Sequence, residues 1–225
     1  MPHENAKARL NSEYHLDAVH LDRCVGEWDM PVLRRENFIP SRLIGFNHAP
    51  GTRIRDVGVH FFIDDYQFER IWNRPKDYIQ LLSGFECVLT PDFSLLLDMP
   101  AAMKVWNVYR NRVLGQFHQD NGCCVIPSVS WAEPASFRYC FDGIPPHATV
   151  AVSSRGATKD AAAKCAWCRG MEKLLEQLEP KTVILYGKPI EMDYGTAQIV
   201  KFLDQRTEGG TIRWVGAEHP MESRP

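Results

Sequence analysis

At 225 residues, with 44% apolar and 24% charged side chains, the chain has the make-up of an ordinary globule that can bury a full core without disulfide or metal staples, which excludes disordered and fibrous classes. A formal charge of -2 excludes the broad basic footprint of a protein that coats nucleic acid; Arg53, Arg55, Lys104, Arg110 and Arg112 could still line a local groove, although solvated surface charges are the commoner arrangement. Its apolar runs fall well short of the ~20 residues that span a bilayer, and its first residues hold no apolar signal core, so a cytoplasmic protein with no membrane contact is expected.

Residues 1–35 read as a charged N-terminal lead segment in which Pro31 marks a break. A short strand is predicted at Arg42 to Phe46, closed by the turn-like NHAPG. Five further apolar segments each end in polar residues: GVHFFIDD from Gly58, CVLTPDFS from Cys87, CCVIPSVSW from Cys123, TVAVSS from Thr149 and TVILYG from Thr182. Between them, Phe68, Ile71 and Trp72 fall at helical spacing. Pro100 suits the first turn of a second helix, with Met103, Trp106, Val113 and Leu114 on one apolar face. Lys159 to Leu178 makes a third, stopped by Pro180. Tyr194 to Gln205 is predicted as a last helix through Ile199, Val200 and Leu203, and 207–225 as an exposed tail.

Strand, helix and strand in this order indicate an α/β fold whose sheet has about six parallel strands and right-handed crossovers. Such a sheet can close as a TIM-like (β/α) barrel or partial barrel, or stay open and doubly wound. The barrel is favoured, because GxGxxG and GxxxxGK(S/T) are both absent and because polar residues at the ends of several strands are the habit of barrels. The organisation expected is a lead segment 1–35, a single α/β domain 36–206 and a tail 207–225.

Seven cysteines, an odd number without a signal peptide, point to reduced thiols. Cys165 and Cys168 form CAWC inside a stretch of helical composition, whereas a redox pair would open a helix after a strand. Cys123 and Cys124 begin an apolar strand. No second CxxC or HxxxH accompanies CAWC, so no structural zinc is expected.

The words VHFFIDDYQFERIWNRPKDY, VLTPDFSLLLDMP, WNVYRNRVLG, VIPSVSW, CFDGIP and VAVSSRG together resemble domain-of-unknown-function family 4417, proteins of bacteria, phages and other mobile elements, over roughly Trp28 to Tyr186. The resemblance implies a phage or plasmid setting, where replication, DNA processing and interference with host defence are common tasks. It brings no catalytic residues with it. LLLDMP departs from the family's pattern, which has an aromatic residue before the Asp.

Parallel strands share a direction, so their polar ends should gather on one rim. Asp64 and Asp65 end the GVHFFIDD strand, where alternation sends them to opposite sides and gives His60, Phe62 and Asp64 one parity. Asp65 can equally cap the next helix, which leaves Asp64 the stronger chemical candidate. Asp92 and Ser94 follow Pro91; since proline cannot donate to a ladder, Asp92 should stand at the strand's edge, able to act as a base, ligate a cation or tie down its loop. Asp98, just before Met99-Pro100, reads most simply as an N-cap. Asp64 and Asp92 on neighbouring strands would drive their pKa values apart, or jointly hold a divalent cation such as magnesium. Ser130 and Trp131 end the next strand, the indole offering a stacking platform although core tryptophan is commoner. Ser153, with Ser154 and Gly156, can face phosphate oxygens, and Tyr186 adds a phenol. Asp142 in CFDGIP is a turn residue unless its loop folds over the rim, and Arg110 can reach a carboxylate or a phosphate, a surface ion pair being simpler. GxSxG and HExxH are absent.

Two functions suit such a rim. One is an enzyme in which Asp64, Asp92 and His60 hydrolyse or transfer groups on a nucleotide or nucleic acid, with the remaining rim residues holding the substrate. The other is a non-catalytic protein that binds a nucleotide, nucleic acid or host protein at the same place. Catalysis needs carboxylates that reach one ligand; binding needs only a complementary surface.

Overall fold

Short, doubly buried strands define the architecture. The computed structural model describes residues 13–202 and 215–218. A two-stranded antiparallel ribbon, β1 (Cys24–Val25) and β2 (Met30–Pro31), precedes the main sheet. The six segments predicted as strands follow as β3 (Arg42–Gly45), β4 (Gly58–His60), β5 (Cys87–Leu89), β6 (Val125–Ile126), β7 (Thr149–Ser153) and β8 (Thr182–Tyr186). Every residue of β4, β5 and β8 is buried, the signature of parallel strands covered on both faces.

β3 to β6 form one parallel group. β7, β8 and β9 (Gln198–Phe202) form another. β10 (Val215–Glu218) lies between β3 and β9, antiparallel to both, in an eight-stranded order β6-β5-β4-β3-β10-β9-β8-β7. Because β10 opposes both neighbours, the two parallel groups run the same way. At the two ends of that order Ser128 and Ala151 make one parallel bridge, with Val129 N–H donating to Ala151 O and Ala151 N–H donating to Pro127 O, each at 2.8 Å.

Two expectations about the C-terminal part are corrected. The helix predicted over Tyr194 to Gln205 is the strand β9, whose Val200 and Phe202 join the buried core; a full ladder against β8 outweighs the helical spacing of its apolar residues. The stretch expected as a tail contributes β10 to the sheet, while its remaining residues lie outside those described.

Period-2 alternation divides the core. Leu43, Leu89, Ile126, Ala151, Ile184 and Phe202 pack together on one face of the sheet. Their alternates Ile44, Val59, Val88 and Val125 meet α1 (Glu69–Asn73), α2 (Ile79–Leu82) and α3 (Ala101–Asp120). Val150, Val152, Val183 and Leu185 meet Trp167, Met171 and Leu174 of α4 (Ala161–Leu178). Burying each such aliphatic side chain stabilises the fold by roughly 1.5–3 kcal/mol before conformational entropy is counted.

α3 departs from the amphipathic helix expected of it. Met103 is half exposed, whereas Lys104, Asn107, Arg110, Asn111, Arg112, Gln116, His118 and Gln119 are buried. The cause is its second covering layer, the irregular segment after β2. Gln116 Nε2 donates to Val32 O at 3.1 Å, and Gln119 accepts from Arg34 N–H at 2.7 Å and donates to Arg34 O at 3.0 Å. Backbone without a ladder must find other partners, and this helix supplies them. Arg112 does the same for CFDGIP, its Nε donating to Asp142 O at 2.8 Å and a terminal nitrogen to Cys140 O at 2.7 Å. Gly143 holds φ at 75°, where an added Cβ would overlap the Pro31 carbonyl, so the turn is confined to glycine. CAWC lies within α4 as expected, with Cys165 exposed and Cys168 half-buried.

Candidate functional site at the strand ends

One cavity of about 750 Å³ opens at the C-terminal ends of β4, β5, β6 and β7, and α4 forms its far wall. The common strand direction brings these ends together. Asp64, Asp92, Ser130, Trp131 and Ser153 line it, with Ser94 beside them.

Asp92 is its most perturbed group. The residue is half-buried, and its Oδ1 is enclosed without a hydrogen-bond partner. Burial pushes the carboxyl up to about 7; the Ser130 hydroxyl opposes the rise, and the negative charge of Asp65 adds to it. Near neutral pH the side chain therefore exists in both forms, the condition for a proton donor or acceptor.

The carboxylate electrically coupled to Asp92 is thus Asp65, where alternation favoured Asp64. β4 ends at His60, and a backbone bond from Ile63 N–H to Phe61 O at 2.8 Å turns the chain beyond it; strand parity does not carry through such a turn. Asp65 accepts from Ser94 N–H at 3.1 Å and from Ser94 Oγ at 2.9 Å, so it fastens the loop after β5. Asp64 is exposed on the cavity and occupies the N-cap of a 3-10 turn without a side-chain cap bond.

α3 holds the same loop from beneath. Asn111 Nδ2 donates to Pro91 O at 2.8 Å, Asn107 Nδ2 to Ser94 O at 2.7 Å, and Lys104 Nζ to Leu97 O at 3.2 Å. Donors on one face of the helix match carbonyls spaced three residues apart along the loop. The ladder also reaches the segment after β6: Asn111 donates to Ser128 O at 3.3 Å, and Lys104 pairs with Glu133 at 2.5 Å, holding that carboxylate below its usual range. The sequence signal was there, as polar residues at helical spacing inside a helix, but it reads equally as a solvated face. Asp98 caps nothing; the N-cap of α3 is Pro100.

Other candidates lie away from the cavity. His60 is buried below the rim, its ring 4.5 Å from that of Tyr186. Its Nδ1 accepts from Phe62 N–H at 3.2 Å, which places the ring proton on Nε2, and burial, with Arg155 and His48 nearby, lowers its pKa to about 3. Tyr186 is buried and stacks on Phe62 at 5.2 Å. Arg110 donates to Glu69 at 2.6 Å and Asn107 at 2.7 Å and lies 3.8 Å from the Phe93 ring centroid. Asp142 sits by Gly26 and Arg112. His60, Tyr186, Arg110 and Asp142 are therefore not gathered with Asp92 around the cavity.

The family model described as "Domain of unknown function (DUF4417)" matches residues 23–204. The chain belongs to this family. It is similar to the "Gene 1 protein" of Mycobacterium phage D29, 35% identical over 88% of this chain and 76% of that protein, and to the "Gene 1 protein" of Mycobacterium phage L5, 37% identical over 72% of each. No solved structure matches it. The words that carried the resemblance to the family bond to one another in space: Asp65 of FIDDYQFE holds Ser94 of PDFS, and Glu69 pairs with Arg110 of WNVYRNRV.

Several lining residues escaped sequence reasoning. Arg155 and Lys159 bring positive charge to the cavity, and Leu96 and Leu97 stand exposed at its edge. Trp167 of α4 donates from Nε1 to Ser153 O at 2.9 Å, tying the end of β7 to the helix. A lysine just before a helix and a leucine run after a strand carry no distinctive spacing, so nothing in the sequence marked them. Among the described residues no group of three or more His, Cys, Asp or Glu side chains is placed to hold a metal ion, and no helix is long and apolar enough to cross a membrane.

Proposed function

We propose that this phage-type protein is an enzyme that hydrolyses or transfers groups on a nucleotide or nucleic-acid substrate bound in the strand-end cavity, with Asp92 as its general acid or base. One observation carries the reading: Asp92, its carboxyl raised to about 7 and one oxygen enclosed without a partner, lines a cavity of substrate size. Both oxygens of Asp65 are taken by Ser94 and Glu133 is held by Lys104, whereas one oxygen of Asp92 has no partner. Asp64 at the mouth is the second carboxylate that a substrate would meet.

The same proposal includes closure of the sheet into a barrel. The Ser128–Ala151 bridge and the cluster on one face of the sheet, drawn from both parallel groups, support it. A closed sheet would hold the four contributing strand ends at fixed separations, as acid–base chemistry requires.

The test is to screen nucleotides and short oligonucleotides for turnover by chromatography and then compare Asp92→Asn with the unsubstituted protein. The variant should lose turnover by about two orders of magnitude, the usual contribution of a positioned acid or base, while remaining folded. Undiminished turnover in folded Asp92→Asn would refute the assignment. Saturable binding without turnover of any substrate would favour the non-catalytic role.

A further inference from the structure

We propose that the ligand of this cavity is a single nucleotide, its phosphate toward Lys159 and Arg155 and its base against Trp131, rather than a nucleic-acid strand. The inference rests on the strand-end cavity being the functional site.

Charge argues for one phosphate. Two cations, Arg155 and Lys159, line the cavity, together with three carboxylates, Asp64, Asp92 and Asp98. A nucleic-acid strand offers a charge at every residue, and proteins that grip one neutralise several phosphates in succession. With carboxylates in the majority, the lining offers no succession of cations for the further phosphates of a strand. A terminal phosphate needs only the cationic side.

That side is built to receive an anion. Arg155 is exposed, and one terminal nitrogen donates to Phe62 O at 2.7 Å, which anchors the side chain to the end of the chain segment after β4. Lys159 is exposed on the stretch between β7 and α4 and makes no ion pair among the described residues.

The Trp131 part of the lining suits a planar ring. Trp131 is half-buried, with its ring 5.9 Å from that of Trp167. An added Cβ at Gly170 would overlap the Trp131 indole, so α4 meets that side chain where the helix has no side chain of its own. The indole is thereby fixed in place, and a stacking surface held by packing loses little freedom when a base settles on it. Asp92 and Ser130 line the same space and offer hydrogen bonds to a base edge or ribose hydroxyl. A volume of about 750 Å³ lies within the roughly 300–1,000 Å³ of small-molecule sites.

Calorimetric titration of the full chain at one fixed low ionic strength tests this with the four common nucleoside 5′-monophosphates, their nucleosides, ribose 5-phosphate and a ten-residue oligothymidylate. At least one monophosphate should bind one to one, about tenfold or more tighter than its nucleoside and than ribose 5-phosphate, and no more weakly than the oligonucleotide. Lys159→Glu should weaken that nucleotide about tenfold and leave the nucleoside unchanged. Lys164→Glu, exposed on α4 and outside the cavity lining, should change neither. Tighter binding of the oligonucleotide, equal binding of ribose 5-phosphate, indifference to Lys159→Glu, or no nucleotide binding would each overturn the inference. Its failure is separable from that of the catalytic reading: nucleotide binding without turnover removes only the enzyme, and turnover of an oligonucleotide without mononucleotide binding removes only this ligand.

Discussion

The cavity has two dissimilar walls. The wall after β5 and β6 is pinned from below, its carbonyls at Pro91, Ser94, Leu97 and Ser128 each taken by a buried side chain of α3. The wall after β7 is exposed from Arg155 to Asp160 except at Ala157, and is fastened by the Trp167 bond to Ser153 and the Arg155 bond to Phe62. On the proposed reading the difference is a division of labour. An acid or base must be held in fixed geometry, which buried and satisfied hydrogen bonds provide, whereas a charge that receives a solvated anion functions at the surface.

If the pinned wall is a polar ladder rather than apolar packing, the rung shared by both loops should cost most. Asn111→Leu leaves Pro91 O and Ser128 O without their side-chain donor and removes an acceptor of Arg112. At about 1–3 kcal/mol per orphaned buried group, a loss of about 3–4 kcal/mol is expected in chemical denaturation. A loss below 1 kcal/mol would show that the ladder is ornamental. Next comes the seam between the walls: Gly170→Ala drives a methyl group into the Trp131 indole and should cost about 1–3 kcal/mol with a shift in tryptophan fluorescence. An unshifted spectrum would mean that the indole has room to move.

A smaller effect separates Asp92 by its pH dependence. The folded carboxyl, raised to about 7, keeps a proton that an unfolded aspartate loses near about 3.9. Its contribution to stability therefore falls as pH rises from about 4 to about 7 and is constant beyond. Asp92→Asn removes that fall, so the variant should match the unsubstituted protein near pH 4 and exceed it increasingly as pH rises to about 7, read from melting curves. His60 and His118, lowered to about 3 and about 4, act with the opposite sign in both proteins, destabilising the fold as pH falls from about 6.5 through those values, and they cancel in the difference. A gap that widens toward acid would contradict the assignment. Least of all, Lys159→Met on the exposed wall should alter stability by under about 0.5 kcal/mol; a larger loss would abolish the contrast between the walls.

The apolar runs with polar ends were enough to place six strands and a rim, because a strand buried on both faces has to be apolar and must turn polar where it leaves the core. Composition likewise put CAWC in a helix. Three features depended on tertiary contacts. Ile199 and Val200 carry no period that separates a buried strand from a helix, and the ladder against β8 decided it. Alternation favoured Asp64, which does line the cavity, but the bonding of Asp65 to Ser94 depended on where β4 stops and the Phe61 to Ile63 turn begins, a matter of pairing with neighbours rather than of local sequence. Lys104, Asn107 and Asn111 look in the sequence like any solvated helix face. They become the support of the cavity only because the loops after β5 and β6 run over α3 with no strand to satisfy their carbonyls. Periodicity reports which residues avoid water; it cannot report which unpaired backbone groups, distant in the chain, will need a donor once the sheet has formed.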